Sequence, residues 1–305
     1  MTYRRAIREL AAFFDVEATE GAVYEHRLAT DPAVYASSLL RATRTEWLLV
    51  DDGYPAPGEG TSWDELGELA NCSARPVLRI ERVAEENGLD GVRGEVGAAR
   101  ENGFVGLKTI AAYRGGLDFE AFGPSNALTP GERIEGAAMR DAVVAALEAN
   151  EETGAPLPVQ VHSGFGDSDL FLPRVQPGYL KPLIERFRET PFVLLHCYPF
   201  VREAGWLAHV YGNVYFDLSL TIPHVSRPAE MVRQALELAP VSKLLYASDA
   251  ARTPELYYVA AKWWREALAE VLAELLEPEE AEVAGGQILR ENARALYGLE
   301  PPASN

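Results

Sequence analysis

The stretch Leu157–Asp169, LPVQVHSGFGDSD, decides how the rest of the chain is interpreted. It begins as an apolar, β-branched run, which predicts a buried strand. His162, two glycines and two aspartates follow, and they predict a loop at the carboxyl end of that strand. A histidine at such a junction is typical of an α/β active site, although a core histidine bonded to a backbone carbonyl would give the same pattern.

Similar apolar runs recur on both sides of this stretch, and helical segments alternate with them. The predicted strands end near residues 51, 81, 109, 162, 196, 218 and 249. Alternating strands and helices predict a parallel sheet. Polar residues follow many of the strands, which favours a (β/α)8 TIM-barrel-like α/β fold with C-terminal helices. In a doubly wound sheet, the alternative, polar groups gather at one switch point.

The sequence provides one strand fewer than a complete barrel needs. Residues 3–14 have helical spacing, residues 15–30 have no clear period, and Asp31-Pro32 begins another helix. We therefore predict one domain over residues 1–305, with a helical segment at 1–45, barrel strands in 46–253 and C-terminal helices in 254–299. The absent strand should leave an open seam, and an unpaired edge there invites association into a homo-oligomer.

Composition restricts the partners and the compartment. With 46 acidic and 28 basic residues, the formal charge of −18 argues against nucleic acid and membrane partners, which need a basic face. A small-molecule substrate is the partner that we expect. Cys72 and Cys197 show neither metal nor redox spacing, so we predict reduced thiols and a cytoplasmic protein.

Four ionisable residues lie on the predicted strands or at their ends, namely Lys108, His162, His196 and Asp249. Imidazoles and a carboxylate suit Zn, Mn or Fe, and Asp249 could instead accept a proton from metal-bound water. Lys108 could be a neutral base, a substrate ligand or, if carboxylated, a bridge between two metals. A hydrogen-bonded core histidine, a helix-capping aspartate and an ion-paired lysine are the ordinary alternatives. Four such residues in one parallel sheet favour a site.

Four further residues are candidates for binding the substrate. Arg114 could hold a substrate carboxylate through two hydrogen bonds. Asp169, Glu255 and His224 follow other strands and could line the pocket. For the remaining polar residues at strand ends, such as Asp51 and Ser219, a loop hydrogen bond is the simpler interpretation.

Several segments together carry a resemblance to a known family. They are GFVGLKTIAAYRGGL, VQVHSGFGDSD, FVLLHCYPFVREAGWLA, GNVYFDLSL, LLYASDAARTPELYY and ENARALYGL. This combination resembles the amidohydrolase superfamily, in particular the amidohydrolase-related branch that includes the N-terminal half of FluG-like and nodulin–glutamine synthetase fusion proteins. The resemblance implies a distorted TIM barrel with His162 and His196 as metal or substrate ligands. It also implies that Asp249 is a ligand and proton acceptor and that Lys108 occupies the position of a bridging ligand.

The chain departs from that family at one important motif. The family has a His-x-His pair at the end of its first strand, whereas the histidines here are His26, His162, His196, His209 and His224. The predicted strands therefore correspond to the second to eighth strands of the family barrel. The simplest account is that the chain lacks its true N-terminal segment. With His162, His196 and Asp249 as the remaining metal ligands, we expect a divalent metal, Zn before Mn or Fe, at weak or absent occupancy.

Two classes of function follow from these observations. The first is a metal-dependent hydrolase that cleaves an amide or other C–N bond of a small amino-acid-derived substrate. In it Asp249 moves the proton, His196 steadies the oxyanion and Lys108 is the third catalytic residue. A decarboxylase on the same scaffold is a variant of this hypothesis. The second class is a metal-poor paralogue that binds a ligand or has a regulatory role without turnover.

Overall fold

A computed structural model describes residues 1–54, 58–123 and 130–300, and its centre is one parallel sheet. The sheet has seven strands in the order β1-β2-β3-β4-β5-β6-β7, which is also their order along the chain. The strands are β1 Trp47–Asp51, β2 Ser73–Arg79, β3 Gly106–Thr109, β4 Val159–Ser163, β5 Phe192–His196, β6 Val214–Asp217 and β7 Leu244–Leu245. Each strand pairs in parallel with the next one. The prediction of an incomplete TIM-barrel-like fold is confirmed.

Helices connect the strands and frame the sheet at both ends of the chain. They are α1 Thr2–Phe14, α2 Glu20–Ala29, α3 Pro32–Ala42, α4 Trp63–Ala70, α5 Ile80–Ala98, α6 Gly136–Glu152, α7 Lys181–Arg186, α8 Val201–Val210, α9 Thr221–His224, α10 Pro228–Leu236, α11 Pro254–Leu275, α12 Pro278–Gly286 and α13 Asn292–Tyr297. Short 3₁₀ turns cover Ala111–Arg114, Leu172–Arg174, Pro177–Leu180 and Val241–Lys243, and a π turn covers Gln287–Glu291. Within the described residues, no helix is long and apolar enough to cross a membrane.

The sheet curls without closing, and its two edges are β1 and β7. All five residues of β1 are partly exposed, whereas all five residues of β5 are buried. Residues of β1 and the segment Leu245–Ser248 line the same cavity of about 1620 Å³. This cavity lies at the seam that the sequence predicts. A complete TIM barrel would have another strand between these edges.

The end of the described chain fills the interior of the curl. Tyr297 and Leu299 are buried in a small apolar cluster with Val193, Leu195 and Leu245. Gln160 Nε2 donates a hydrogen bond of 3.0 Å to the Tyr297 hydroxyl. The C-terminal helices therefore complete the interior as well as covering the outside.

Residues 15–30, for which the sequence shows no clear period, contain α2, and its periodicity is weak because Val23 is its one buried residue. Two local predictions from the sequence were wrong. β2 ends at Arg79 because α5 begins at the next residue. β7 stops at Leu245, since the next backbone N–H, that of Tyr246, donates to the Ile288 carbonyl at 3.1 Å instead of continuing the sheet.

Candidate functional site

The backbone at the carboxyl ends of the strands takes conformations that side chains seldom adopt. His196, Cys197, Asp249 and Arg252 all have positive φ angles, of 65°, 64°, 48° and 63°. Such conformations cost free energy in residues other than glycine and often occur at functional sites. Gly164, with φ of 74°, is required for another reason: an added Cβ would lie 2.3 Å from the Tyr198 carbonyl oxygen. The loops after β4 and β5 are therefore packed backbone against backbone.

The histidines of β4 and β5 are in direct contact with each other. His162 Nδ1 lies 3.0 Å from His196 Nε2, and His196 Nδ1 lies 2.7 Å from Ser219 Oγ. The rings are 5% and 1% exposed for His162 and His196. Burial lowers the pKa of both imidazoles well below the usual value, and the positive charge of Lys108 lowers it further. Both histidines are therefore neutral near pH 7, the form that binds a metal or accepts a proton.

A cluster of charged residues lies beside the histidine pair. Lys108 Nζ is 3.0 Å from Asp51 Oδ2 and 4.0 Å from Asp249 Oδ1. Asp249 Oδ2 is in turn 3.8 Å from His196 Nε2. Arg79 holds the other side of Asp51, with its Nε 3.1 Å from both carboxylate oxygens. Burial works against ionisation of Asp51, but Lys108 and Arg79 outweigh burial and lower its pKa to about 2.

Asp217, at the end of β6, forms hydrogen bonds with the residues around the histidine pair. Its Oδ1 accepts hydrogen bonds from the His196 backbone N–H at 2.8 Å, the Ser219 backbone N–H at 2.9 Å and the Ser219 hydroxyl at 2.7 Å. Burial raises the pKa of Asp217 to about 6, even though these hydrogen bonds favour the ionised form. Asp217 thus binds both the backbone of His196 and the hydroxyl next to its ring.

The seam cavity reaches this cluster from one side. Its polar lining includes Asp51, Lys108, Asp217, Ser219, Asp249 and Arg252. His162 and His196 are not part of the lining and lie beneath it. A ligand in the cavity would therefore meet the carboxylates and the lysine before it met the imidazoles.

The structure brings Lys108, His162, His196 and Asp249 together, as the sequence predicts. The four residues predicted to bind substrate lie elsewhere. Arg114 pairs with Glu85 at 3.1 Å, and Glu255 binds the Tyr35 hydroxyl and Arg27, both at 3.0 Å. His224 is exposed, with its Nδ1 2.8 Å from the Leu220 carbonyl oxygen, and Asp169 is exposed in the loop after β4. None of the four is in the cavity lining.

Arg79, Asp217 and Arg252 belong to the site but were not predicted from the sequence. Arg79 and Asp217 end β2 and β6, the same position that identified the histidines. A charged residue at a strand end was therefore the available signal. Arg252 had no such signal, because its place depends on the positive φ angles after β7.

The predicted metal ligands are of a suitable chemical type but do not form a complete site. Two imidazole nitrogens face each other at 3.0 Å, and the Asp249 carboxylate is 3.8 Å from one of them. Across residues 1–54, 58–123 and 130–300, no three His, Cys, Asp or Glu side chains are arranged to hold a metal ion. The ion pair between Lys108 and Asp51 also favours a free ammonium over a carboxylated lysine, since a carbamate would place one anion against another.

Comparisons with known proteins agree with this architecture. A family model described as amidohydrolase matches residues 72–299. Protein fluG of Emericella nidulans is 36% identical over 228 residues, which are 66% of this chain and 26% of fluG, so the match spans about a quarter of that relative.

Two solved structures extend the similarity to nearly the whole chain. A Lactobacillus casei protein, provisionally described as a metal-dependent hydrolase, superposes with a TM-score of 0.83 at 27% identity, covering 97% of this chain and 84% of its own. A uronate isomerase of Bacillus halodurans shares the fold, with a TM-score of 0.69 at 12% identity over 97% of this chain and 76% of its own. From the matched family and the curled parallel sheet, we conclude that this chain belongs to the amidohydrolase family.

Proposed function

We propose that this chain hydrolyses an amide or other C–N bond in a small molecule derived from an amino acid. The observation that carries the proposal is the position of Asp249 at the cavity, 4.0 Å from Lys108 Nζ and 3.8 Å from His196 Nε2. Its side chain is 35% exposed, so water and substrate can reach it. A carboxylate held in this way can accept a proton from an attacking water molecule and deliver it to the leaving amine.

Lys108 is the group best placed to stabilise negative charge on the substrate. Its ammonium faces the cavity while Asp51 fixes its position at 3.0 Å. A fixed positive charge beside a scissile carbonyl stabilises the oxyanion that develops there. From the sequence, His196 was expected to stabilise the oxyanion, but the His196 ring is buried and is not part of the cavity lining. We therefore propose Lys108 for this role.

Arg252 is the candidate for recognising the amino-acid part of the substrate. It lines the cavity and is exposed, and its guanidinium lies 4.7 Å from the centre of the Tyr54 ring. In the described part of the chain it has no carboxylate partner within salt-bridge distance. An arginine oriented by an aromatic ring and free of an internal partner can bind a substrate carboxylate through two hydrogen bonds.

A divalent metal is part of the proposal, with Zn first and Mn or Fe after it. The support is membership of the amidohydrolase family and the similarity to the L. casei protein. A metal would polarise the carbonyl and activate water. His162, His196 and Asp249 are the donors that this chain offers, and further donors are needed to complete the site.

The incomplete donor set favours a second function, that of a metal-poor family member that binds a ligand without turnover. Elemental analysis of the purified chain, before and after incubation with Zn²⁺ or Mn²⁺, separates the two functions. γ-Glutamyl amides are the first substrates to assay, because the sequence resembles FluG-like proteins. Metal near one equivalent together with release of amine supports the hydrolase. Well under one equivalent after incubation, with no turnover, contradicts it, and release of CO2 without amine identifies a decarboxylase.

A further inference from the structure

A continuous line of hydrogen-bonding groups joins β6 to the histidine pair. Asp217 Oδ1 is 2.7 Å from Ser219 Oγ, which is 2.7 Å from His196 Nδ1. His196 Nε2 is then 3.0 Å from His162 Nδ1. All four residues are buried, at 2%, 1%, 1% and 5% exposure along this line. The hydrogens along this line are therefore shared mainly among these four side chains.

Counting hydrogens along the line fixes the direction of every bond. Asp217 Oδ1 also accepts the backbone N–H groups of His196 and Ser219, so it is an acceptor. The single hydroxyl hydrogen of Ser219 points to this oxygen, which leaves only lone pairs toward the imidazole. His196 must then carry its hydrogen on Nδ1 and donate it to Ser219 Oγ. Its Nε2 is left with a lone pair, which accepts the Nδ1 hydrogen of His162.

We infer that Asp217 and Ser219 are positioning residues that set His196 in the Nδ1–H tautomer, so that Nε2 carries no hydrogen and its lone pair accepts the N–H of His162. The opposite tautomer would place a hydrogen on Nε2 and leave Nδ1 without a donor. Only a bare nitrogen can bind a metal or accept a proton, and a hydrogen bond at the other ring nitrogen commonly selects it.

A structural role for Ser219 makes a different prediction, so the two can be separated. The Ser219 backbone N–H binds Asp217 Oδ1 and does not need the hydroxyl, so Ser219→Ala keeps the turn after β6 and removes only the link to the ring. Thr221 offers a matched control. Its hydroxyl is equally buried and donates to the His196 backbone carbonyl at 2.8 Å without contacting the ring.

The test is ¹⁵N NMR of the imidazole nitrogens in the full chain labelled at histidine, with His196 assigned through a His196→Gln variant. In the unsubstituted protein, His196 Nδ1 should resonate as a protonated nitrogen and Nε2 as a bare one. Ser219→Ala should shift His196 toward the Nε2–H form, while Ser219→Thr and Thr221→Val should retain the original pattern.

Two results overturn the inference. One is an Nε2–H signal for His196 in the unsubstituted protein, which needs no variant to fold. The other is an unchanged tautomer in a folded Ser219→Ala protein. The inference concerns the site of the proposed hydrolase, but the readout does not depend on turnover. Failure of the activity assay and failure of the tautomer assignment are therefore separate outcomes.

Discussion

The two sides of the candidate site differ in how firmly the sheet holds them. On one side, His162 and His196 belong to strands with a partner on each side, and they are 5% and 1% exposed. On the other side, Asp249 follows the two-residue β7, and its side chain is 35% exposed beside the seam. A strand that pairs with a neighbour on each side holds its side chains accurately but buries them. The side chains that follow the edge strand β7 remain accessible, so we expect them to contact the substrate.

Replacing Asp249 should therefore give the largest effect. We expect Asp249→Asn to reduce kcat by about 10²–10⁴-fold, because the side chain is the proposed proton acceptor. The midpoint of urea unfolding should change little, since the carboxylate is partly exposed. Steady-state hydrolysis of a γ-glutamyl p-nitroanilide is the measurement, with Asp90→Asn at a fully exposed position as the control. If Asp249→Asn lowered the midpoint of urea unfolding as well as kcat, the carboxylate would have a structural role, and the contrast between the two sides of the site would be wrong.

Asp51 tests the electrostatic support of the site. Asp51→Ala removes the carboxylate that Arg79 and Lys108 share, and it leaves Lys108 with only the more distant Asp249 as a partner. We expect a loss of about 3–5 kcal/mol in the free energy of unfolding. Urea denaturation measures it. Glu86→Ala, which breaks an ion pair with a half-exposed carboxylate, should cost less than about 1 kcal/mol. Similar losses in both variants would show that the Asp51 cluster does not support the fold.

The free energy of unfolding at acid pH should also depend on Asp51. Its pKa is lowered from 3.8 to about 2, so its contribution is complete above pH 4 and disappears as the pH falls toward 2. The difference corresponds to about 2 kcal/mol. Asp217 acts in the opposite sense: its pKa is raised from 3.8 to about 6, so its ionisation removes stability as the pH rises between these values.

Denaturant unfolding across pH 2–7 measures both trends. Asp51→Asn should flatten the curve below pH 4, and Asp217→Asn should flatten it between pH 4 and 6. Superimposable curves for the variants and the unsubstituted protein would contradict these assignments.

Arg252 and Arg114 contrast an exposed and a paired cation. If Arg252 binds the substrate carboxylate through two hydrogen bonds, Arg252→Gln should raise KM by about tenfold or more, because each hydrogen bond to a charged group is worth about 1.5–3 kcal/mol. Arg114 is paired with Glu85 outside the cavity lining, so its replacement should act on stability before KM. Measuring KM and the midpoint of urea unfolding for both variants shows which arginine binds the substrate and which one supports the fold. A raised KM for Arg114→Gln alone would support the prediction from sequence.

The smallest effect concerns the seam itself. Because β1 is an edge strand with every residue partly exposed, we propose that the chain self-associates weakly through it. Sedimentation velocity should show a mass that increases with concentration. Val50→Lys should shift the mass toward the monomer, since a charge on an edge strand opposes pairing. A monomer at every concentration would refute this proposal.

The sequence predicts the sheet well because strand ends in a parallel barrel all lie on one side. His162, His196, Asp249 and Lys108 could be placed together from that rule alone. The partners of Arg114 and Glu255 could not, because Glu85 and Tyr35 are separated from them by many residues and no local pattern connects them. Likewise, α2 has too few buried positions for its period to be visible.

Tyr297 has a consequence for the order in which the chain acquires its structure. It is buried inside the sheet and bound to Gln160, which precedes it by 137 residues. During synthesis, the strands can be made and can pair long before this ring is available. Until the last helix emerges, the interior therefore keeps exposed apolar surface, a condition that promotes aggregation of partly folded chains. A chaperone would therefore matter most during this period, when it could keep the partly folded chain in solution.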